Sequence, residues 1–84
     1  MEPLEHYLRA FGQAIQQHRS REALSLEAAA DRWGLEPTAL AALERGEANP
    51  GFESLLRLAQ GMSVSPAELF DAAQRLADAD ADDR

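Results

Sequence analysis

Cysteine and lysine are both missing from this 84-residue chain, and aromatic residues make up only 6% of it. Without cysteine, neither a disulfide nor a thiolate metal site is possible. No apolar run approaches the length of about 18 residues that a membrane helix needs. No charged segment followed by an apolar one opens the sequence, as a secretory leader would require. We therefore expect a cytoplasmic protein that does not enter a membrane.

The groups that carry catalysis or bind metals are also scarce. His6 and His18 stand apart in the sequence with no cluster of ligands near either, so we expect no metal site. No pattern of nucleophile, base and orienting residue is recognisable, and no glycine-rich loop is present to hold a phosphate. We therefore predict that the chain is not an enzyme and takes no cofactor.

Positive charge is outnumbered by negative charge. Fifteen acidic residues stand against eight basic ones, all of them arginine, so the formal net charge is −7. Proteins that bind duplex DNA usually carry a basic surface, because DNA is a dense polyanion. Hydrophobic residues make up 45% of the chain, which is ordinary for one small folded domain. Composition alone predicts a single globular domain and argues against a nucleic-acid partner.

Residues 24–46 contain the start and stop signals of two short helices. Ser25 can cap the first helix, and Gly34 suits its left-handed end. Pro37 fits the first turn of the second helix, and Gly46 fits its end. Between these signals the apolar residues recur at helical spacing. Two short helices joined by a tight turn form a helix-turn-helix, which other parts of the chain must cover to complete a core.

Three further helices flank this segment and complete an all-α fold. Pro3 suits the start of the first helix, and Gly61 suits the end of the fourth. The sequence Ser-Pro-Ala-Glu at residues 65–68 is a capping box that starts the fifth. The five predicted helices cover about residues 3–19, 26–33, 37–45, 52–60 and 66–77. Residues 1–77 then form the domain, and residues 78–84 form an acidic disordered tail.

Helical spacing also assigns apolar side chains outside residues 24–46. Those predicted to be core are Leu4, Leu8, Phe11, Ile15, Phe52, Leu55, Leu56, Ala59, Leu69 and Phe70. Ala73, Leu76 and Ala77 extend past the expected end of the core, so they are candidates for pairing with a second copy. A frayed helix end is an equally good interpretation of these three residues.

The order of these signals resembles the phage-repressor-like (Xre or Cro-type) family of helix-turn-helix DNA-binding domains. The matching pattern is Leu-Ser, a helix of small residues, Gly, and a helix ending in Glu-Arg-Gly, with further matches that extend over about residues 11–70. The resemblance implies a compact, lambda-repressor-like bundle of five helices with double-stranded DNA as its partner. It also implies a homodimer that places its third helices in the major grooves of a palindromic operator.

The same resemblance assigns roles to individual residues. Arg19 and Glu44 occupy positions that pair in the family, which implies a structural salt bridge between the first and third helices. The positions that would face bases are Pro37, Thr38, Ala41 and Ala42. The candidates for contact with phosphates are Arg32, Arg45, Asn49 and the backbone amides near Gly51 and Phe52. For Arg32, a solvated position on the surface is at least as good an interpretation.

Two features of the third helix leave a second hypothesis open. Its base-facing surface has one hydrogen-bonding side chain, Thr38, and Glu36 and Glu47 flank the helix where they would face phosphates. The alternative is a helix-turn-helix scaffold that has lost DNA binding and presents small apolar residues to a protein partner. We prefer DNA binding, because a domain with few cations can still dock through backbone amides, dimerisation and a few arginines.

Overall fold

Five helices build the domain in a computed structural model that describes the backbone of residues 3–82 and the side chains of residues 4–79. Within that range the chain contains no β-strand and no helix with the length and apolarity to cross a membrane. The helices are α1 (Pro3–Arg21), α2 (Leu26–Trp33), α3 (Pro37–Glu44), α4 (Phe52–Met62) and α5 (Pro66–Asp82). α1 packs against α3 and α5, while α2 packs against α3 and α4. The predicted all-α fold with a helix-turn-helix is confirmed.

Local capping sets the ends of α2 and the start of α5. The Ala28 amide donates to Ser25 Oγ at 3.0 Å, and Gly34 ends α2 in the left-handed conformation, with φ of 72°. At α5, the Ser65 amide donates to the Glu68 carboxylate (2.8 Å) and the Glu68 amide donates to Ser65 Oγ (3.1 Å). The hydrogen bonds with Ser65 lower the pKa of Glu68, so the bond from the Ser65 amide to the Glu68 carboxylate is strongest at neutral pH and weakens as the pH falls through that pKa.

One hydrophobic cluster holds the helices together. Ile15 of α1, Leu40 of α3 and Leu58 of α4 are fully buried at its centre. α5 contributes Leu69 and Ala73 to the same cluster. Full burial of an aliphatic side chain of this size contributes about 2 kcal/mol to stability. The core therefore draws on both ends of the chain as well as on the helix-turn-helix.

Several residues predicted to be core lie at the surface instead. Leu4, Phe52 and Phe70 are 57%, 77% and 50% exposed. α4 turns Leu58 toward the core, and six residues correspond to about 240° around a helix, which points Phe52 away from it. In the same way α5 turns Leu69 toward the core. Phe70, the next residue, is rotated by about 100° around the helix and faces solvent.

Gly61 does not end α4, contrary to the prediction. The helix continues to Met62, and Ser63 takes the left-handed conformation that ends it, with φ of 59°. Gly61 lies against the indole ring of Trp33, where a Cβ atom would collide with the ring. Its missing side chain therefore permits the close approach of α2 and α4.

The disordered tail predicted from residue 78 onward is wrong over residues 78–82, because α5 continues to Asp82. Residues 83–84 lie outside the described residues. Ala77 is 1% exposed, and His6 Nε2 donates a hydrogen bond to its carbonyl at 2.9 Å. The contact with α1 therefore supports α5 past the point where the sequence pattern suggests that it frays.

Candidate nucleic-acid interface

α3 turns one face to the core and the opposite face to solvent. Leu40 and Leu43 are buried, and Glu44 beside them is 7% exposed. The opposite face carries small side chains, which let a helix backbone approach a partner closely. Of the residues predicted to face bases, Pro37 and Thr38 are exposed, and Ala41 and Ala42 are half-buried.

A bidentate ion pair fixes the end of α3 to α1. Arg19 Nε donates to Glu44 Oε2 at 2.7 Å, and Arg19 Nη2 donates to Glu44 Oε1 at 2.8 Å. Arg19 Nη1 also donates to the Leu24 carbonyl at 3.1 Å, which ties in the segment before α2. The hydrogen bond with Glu44 raises the pKa of Arg19 despite the opposing effect of burial. The pairing implied by the family resemblance is therefore present, and it orients α3.

Gly12 provides a second contact between α1 and α3, which the sequence analysis missed. A Cβ atom at this position would lie 2.5 Å from the carbonyl oxygens of Leu43 and Glu44, far inside van der Waals contact. An isolated glycine within an apolar helical pattern was the available signal, because such a residue usually has a packing reason. Gly12 and Arg19 together support the C-terminal half of α3.

The residues predicted to contact phosphates occupy two separate places. Arg45 directly follows α3 and is exposed, and Asn49 is exposed in the loop that follows. Arg32 lies at the end of α2, where it lines a shallow hollow with Arg57 and Gln60. The structure therefore places Arg45 and Asn49 in the segment that leaves α3, and it places Arg32 beside α4.

Carboxylates neutralise each arginine of this region. Glu22, Glu47 and Glu53 approach Arg32, Arg45 and Arg57 at 3.7, 2.9 and 2.6 Å, respectively. The surface around α3 therefore carries little net positive charge.

Within the part of the chain that the structure describes, no three histidine, aspartate or glutamate side chains are placed to hold a metal ion.

Arg57 is a further residue that the sequence analysis did not assign to the interface. Its Nη1 atom donates to the Gly34 carbonyl in the helix-turn-helix turn at 3.1 Å. The spacing of Glu53 and Arg57 signals their pairing along α4, but nothing in the spacing signals a contact 23 residues away. Arg57 thus braces the turn that leads into α3.

The start of α4 offers backbone amides. Gly51 and Phe52 are both exposed, and no side chain among the described residues caps this helix end. First-turn amides without partners attract anions through their own hydrogen-bonding capacity and the helix dipole. Glu53 lies in the same turn and opposes an incoming phosphate. The start of α4 is therefore an accessible anion site that the Glu53 carboxylate weakens.

Two of the three candidates for pairing with a second copy are buried within the domain. Ala73 and Ala77 are 5% and 1% exposed within the domain, because α1 covers this side of α5. Leu76 is half-buried. The prediction is wrong for Ala77, because the spacing that marks it as apolar does not reveal which helix covers it. Ala73 still lines an apolar groove at the surface of the domain.

An apolar surface is exposed between α1, α5 and the loop before α4. We call it the apolar groove, and none of its lining residues is charged. Its exposed large hydrophobic residues are Leu4, Tyr7 and Phe70, at 57%, 43% and 50%. Its full lining is Leu4, Tyr7, Leu8, Phe11, Asn49, Pro50, Leu55, Phe70, Ala73 and Gln74.

Comparison with known proteins places this arrangement among helix-turn-helix proteins. The restriction-modification controller protein C.AhdI from Aeromonas hydrophila is 34% identical, with a TM-score of 0.70 over 74% of this chain and 94% of that one. The clp gene regulator ClgR from Corynebacterium glutamicum is 26% identical, with a TM-score of 0.78 over 92% of this chain and 96% of that one.

The controller protein C.Esp1396I has been solved as a tetramer in complex with its natural 35 base-pair operator. It shares the fold at 22% identity, with a TM-score of 0.76 over 92% of this chain and 97% of that one. No curated protein matches the chain. The family model described as a helix-turn-helix domain matches residues 10–79. The chain belongs to this helix-turn-helix domain family.

Proposed function

We propose that this protein is a DNA-binding transcription regulator, not an enzyme, that acts in the cytoplasm as a homodimer on a palindromic operator. The observation that carries the proposal is the position of α3. The ion pair of Arg19 with Glu44 holds the end of this helix against α1, and the small side chains of its opposite face point to solvent. The similarity to C.AhdI, a controller protein of 34% identity, supports the same role. Each α3 of the dimer would enter one major groove, about 34 Å from the other.

The phosphate contacts in this proposal come from few groups. Arg45 follows α3, Arg32 ends α2, and the amides of Gly51 and Phe52 begin α4. Two arginines in each protomer make four cationic contacts in a dimer. Each neutralised phosphate contributes about −0.9 to the slope of log affinity against log salt, so we expect a slope of about −4.

Titration of the full chain with random-sequence duplex DNA at several salt concentrations tests the proposal. We expect dissociation constants near 10⁻⁴ M at moderate salt, at the weak end for DNA-binding domains, and tighter binding as salt falls. Absence of binding at low salt would contradict the proposal and favour a scaffold that binds protein.

Glu47→Gln is expected to strengthen binding to random duplex DNA about fivefold at low salt. The Glu47 carboxylate accepts a hydrogen bond from Arg45 Nε at 2.9 Å, so its loss frees the guanidinium for a phosphate. Asp71→Asn is the matched control, because it also removes one negative charge that pairs with an arginine, but on α5. Equal gains from both variants would assign the effect to net charge and not to Arg45.

The apolar groove is the surface that we assign to the homodimer. Two copies that each carry a net charge of −7 repel one another, so an uncharged surface is where they can meet. A two-fold contact needs raised and recessed parts within one patch, and the exposed Leu4 and Phe70 side chains border the recess. Asn49 and Pro50 also line it, so contact there would place the loop that leaves α3 next to the partner copy.

Phe70→Gln is expected to weaken self-association at least tenfold, because it removes a half-exposed aromatic ring from the proposed contact. Sedimentation equilibrium at tens of micromolar measures the change. Phe52→Gln is the matched control, because Phe52 is even more exposed but does not line the apolar groove. A wild-type chain that stays monomeric at these concentrations, or equal effects of both variants, would contradict the assignment.

A further inference from the structure

The outward surface of α3 is built almost entirely from methyl groups. Thr38 and Ala42 lie one helical turn apart on the side opposite the buried leucines, and Ala41 lies beside them. The only hydrogen-bonding side-chain group among these three is the Thr38 hydroxyl. The sequence of α3, PTALAALE, contains none of the long donors or amides that read purines by paired hydrogen bonds.

The arginine that follows α3 already has a hydrogen-bond partner within the chain. Arg45 follows α3 directly, and its Nε atom donates to the Glu47 carboxylate at 2.9 Å. The loop beyond it adds Asn49, which lines the apolar groove next to Pro50. Recognition of guanine or adenine by paired hydrogen bonds from the centre of α3 is therefore not available, and the Thr38 hydroxyl is the one side-chain group there that can make a single hydrogen bond.

The major groove offers one group that suits such a surface. Thymine alone among the four bases presents a C5 methyl group there, and alanine or the threonine methyl contacts it well. Thymine presents its methyl group beside the O4 acceptor, whereas guanine, adenine and cytosine present polar atoms without a methyl group, and these atoms would lose water against an alanine without gaining a partner. A methyl-lined helix thus discriminates in favour of thymine by apolar contact and by the cost of burying unpaired polar atoms.

We propose that α3 recognises its operator chiefly through thymine C5 methyl groups, contacted by the methyl groups of Thr38, Ala41 and Ala42. This inference rests on the proposed DNA-binding function and names the chemical group that it reads. Loss of one well-buried methyl contact is expected to weaken binding about fourfold. Replacement of every thymine in the operator by uracil, which lacks only that methyl group, is expected to weaken binding at least tenfold.

The experiment begins with selection of duplexes from a random library by this 84-residue chain. The selected duplex is then prepared with thymine or with uracil, and the ratio of the two dissociation constants is measured at one salt concentration. Thr38→Ser and Thr38→Val form a matched pair, because the first removes the methyl group and keeps the hydroxyl, and the second does the reverse. We expect Thr38→Ser to lower the ratio and Thr38→Val to leave it at least as large.

Ala42→Gly provides a second test, with Ala39→Gly as its control because Ala39 is exposed on α3 but lies off the line of Thr38 and Ala42. We expect only the change at Ala42 to lower the ratio. Equal affinity for thymine and uracil duplexes, with sequence-selective binding intact, would overturn this inference and leave the proposed function standing. Failure to enrich any duplex, together with no salt-dependent binding of random DNA, would overturn both.

Discussion

Alanine at position 19 is expected to lower the free energy of unfolding by about 3 kcal/mol. Arg19→Ala removes the two hydrogen bonds, at 2.7 and 2.8 Å, that the guanidinium donates to Glu44. The Glu44 side chain is only 4% exposed, so its carboxylate would remain buried without a cation. Urea unfolding, followed by the circular dichroism of the helices, measures the loss.

Arg45→Ala is the control for this prediction. It makes the same substitution in another arginine–glutamate pair, but the Arg45 and Glu47 side chains are 56% and 62% exposed. Exposed pairs contribute little, because water solvates both charges, and we expect a loss of at most about 0.5 kcal/mol. Similar losses from the two variants would show that the buried pair does not hold α3 to α1.

Gly12→Ala is expected to lower the free energy of unfolding by about 3 kcal/mol, because it forces apart two helices that touch through their backbones. The added Cβ would lie 2.5 Å from the carbonyl oxygens of Leu43 and Glu44, and backbone cannot rotate away as a flexible side chain can. Helix propensity alone predicts the opposite sign, a gain of about 1 kcal/mol for alanine over glycine. Thermal or urea unfolding decides the sign directly.

Gln13→Ala is the neighbouring control in α1. Gln13 is exposed, so alanine there changes helix propensity without meeting another helix. We expect its effect to stay within about 0.5 kcal/mol. A Gly12→Ala variant that is as stable as Gln13→Ala would mean that α1 and α3 can separate without cost, which would contradict the close contact.

Three of the fifteen acidic residues pair with arginines at the candidate interface. Glu22, Glu47 and Glu53 pair with the three arginines that lie around α2, α3 and α4. In the function that we propose, ionic contacts with phosphate would therefore contribute less than in a basic domain. Shape and methyl contacts along α3 would carry a larger share of the affinity, and the dimer would double them.

Interactions within three or four residues explain the successful part of the sequence analysis. Ser25 accepts a hydrogen bond from an amide three positions away, and Ser65 and Glu68 form their capping box over the same distance. Such caps depend on backbone geometry alone, so their residue types identify helix ends without knowledge of the fold. The family resemblance added the pairing of Arg19 with Glu44, which spacing does not reveal.

Gly61 and Ser63 show where this local reasoning fails. Either residue can end a helix, and glycine is the better candidate on its own conformational preference. In the structure Gly61 lies within α4 against the Trp33 ring, where only a glycine fits. The helix ends two residues later at Ser63, which adopts the left-handed conformation. The close packing of α2 on α4 decides between the two, and it involves residues far apart in sequence.

The sequence by itself therefore determined the number of helices, the turn between α2 and α3, and the absence of long donors from α3. The tertiary structure alone decided that Ala77 is buried under α1 while Phe70 is exposed, and that α5 reaches Asp82. It also decided that Arg57 reaches the Gly34 carbonyl, 23 residues away. The physical reason is that a cap is satisfied by its own neighbours, whereas burial and ion pairing depend on which distant surface arrives beside a residue.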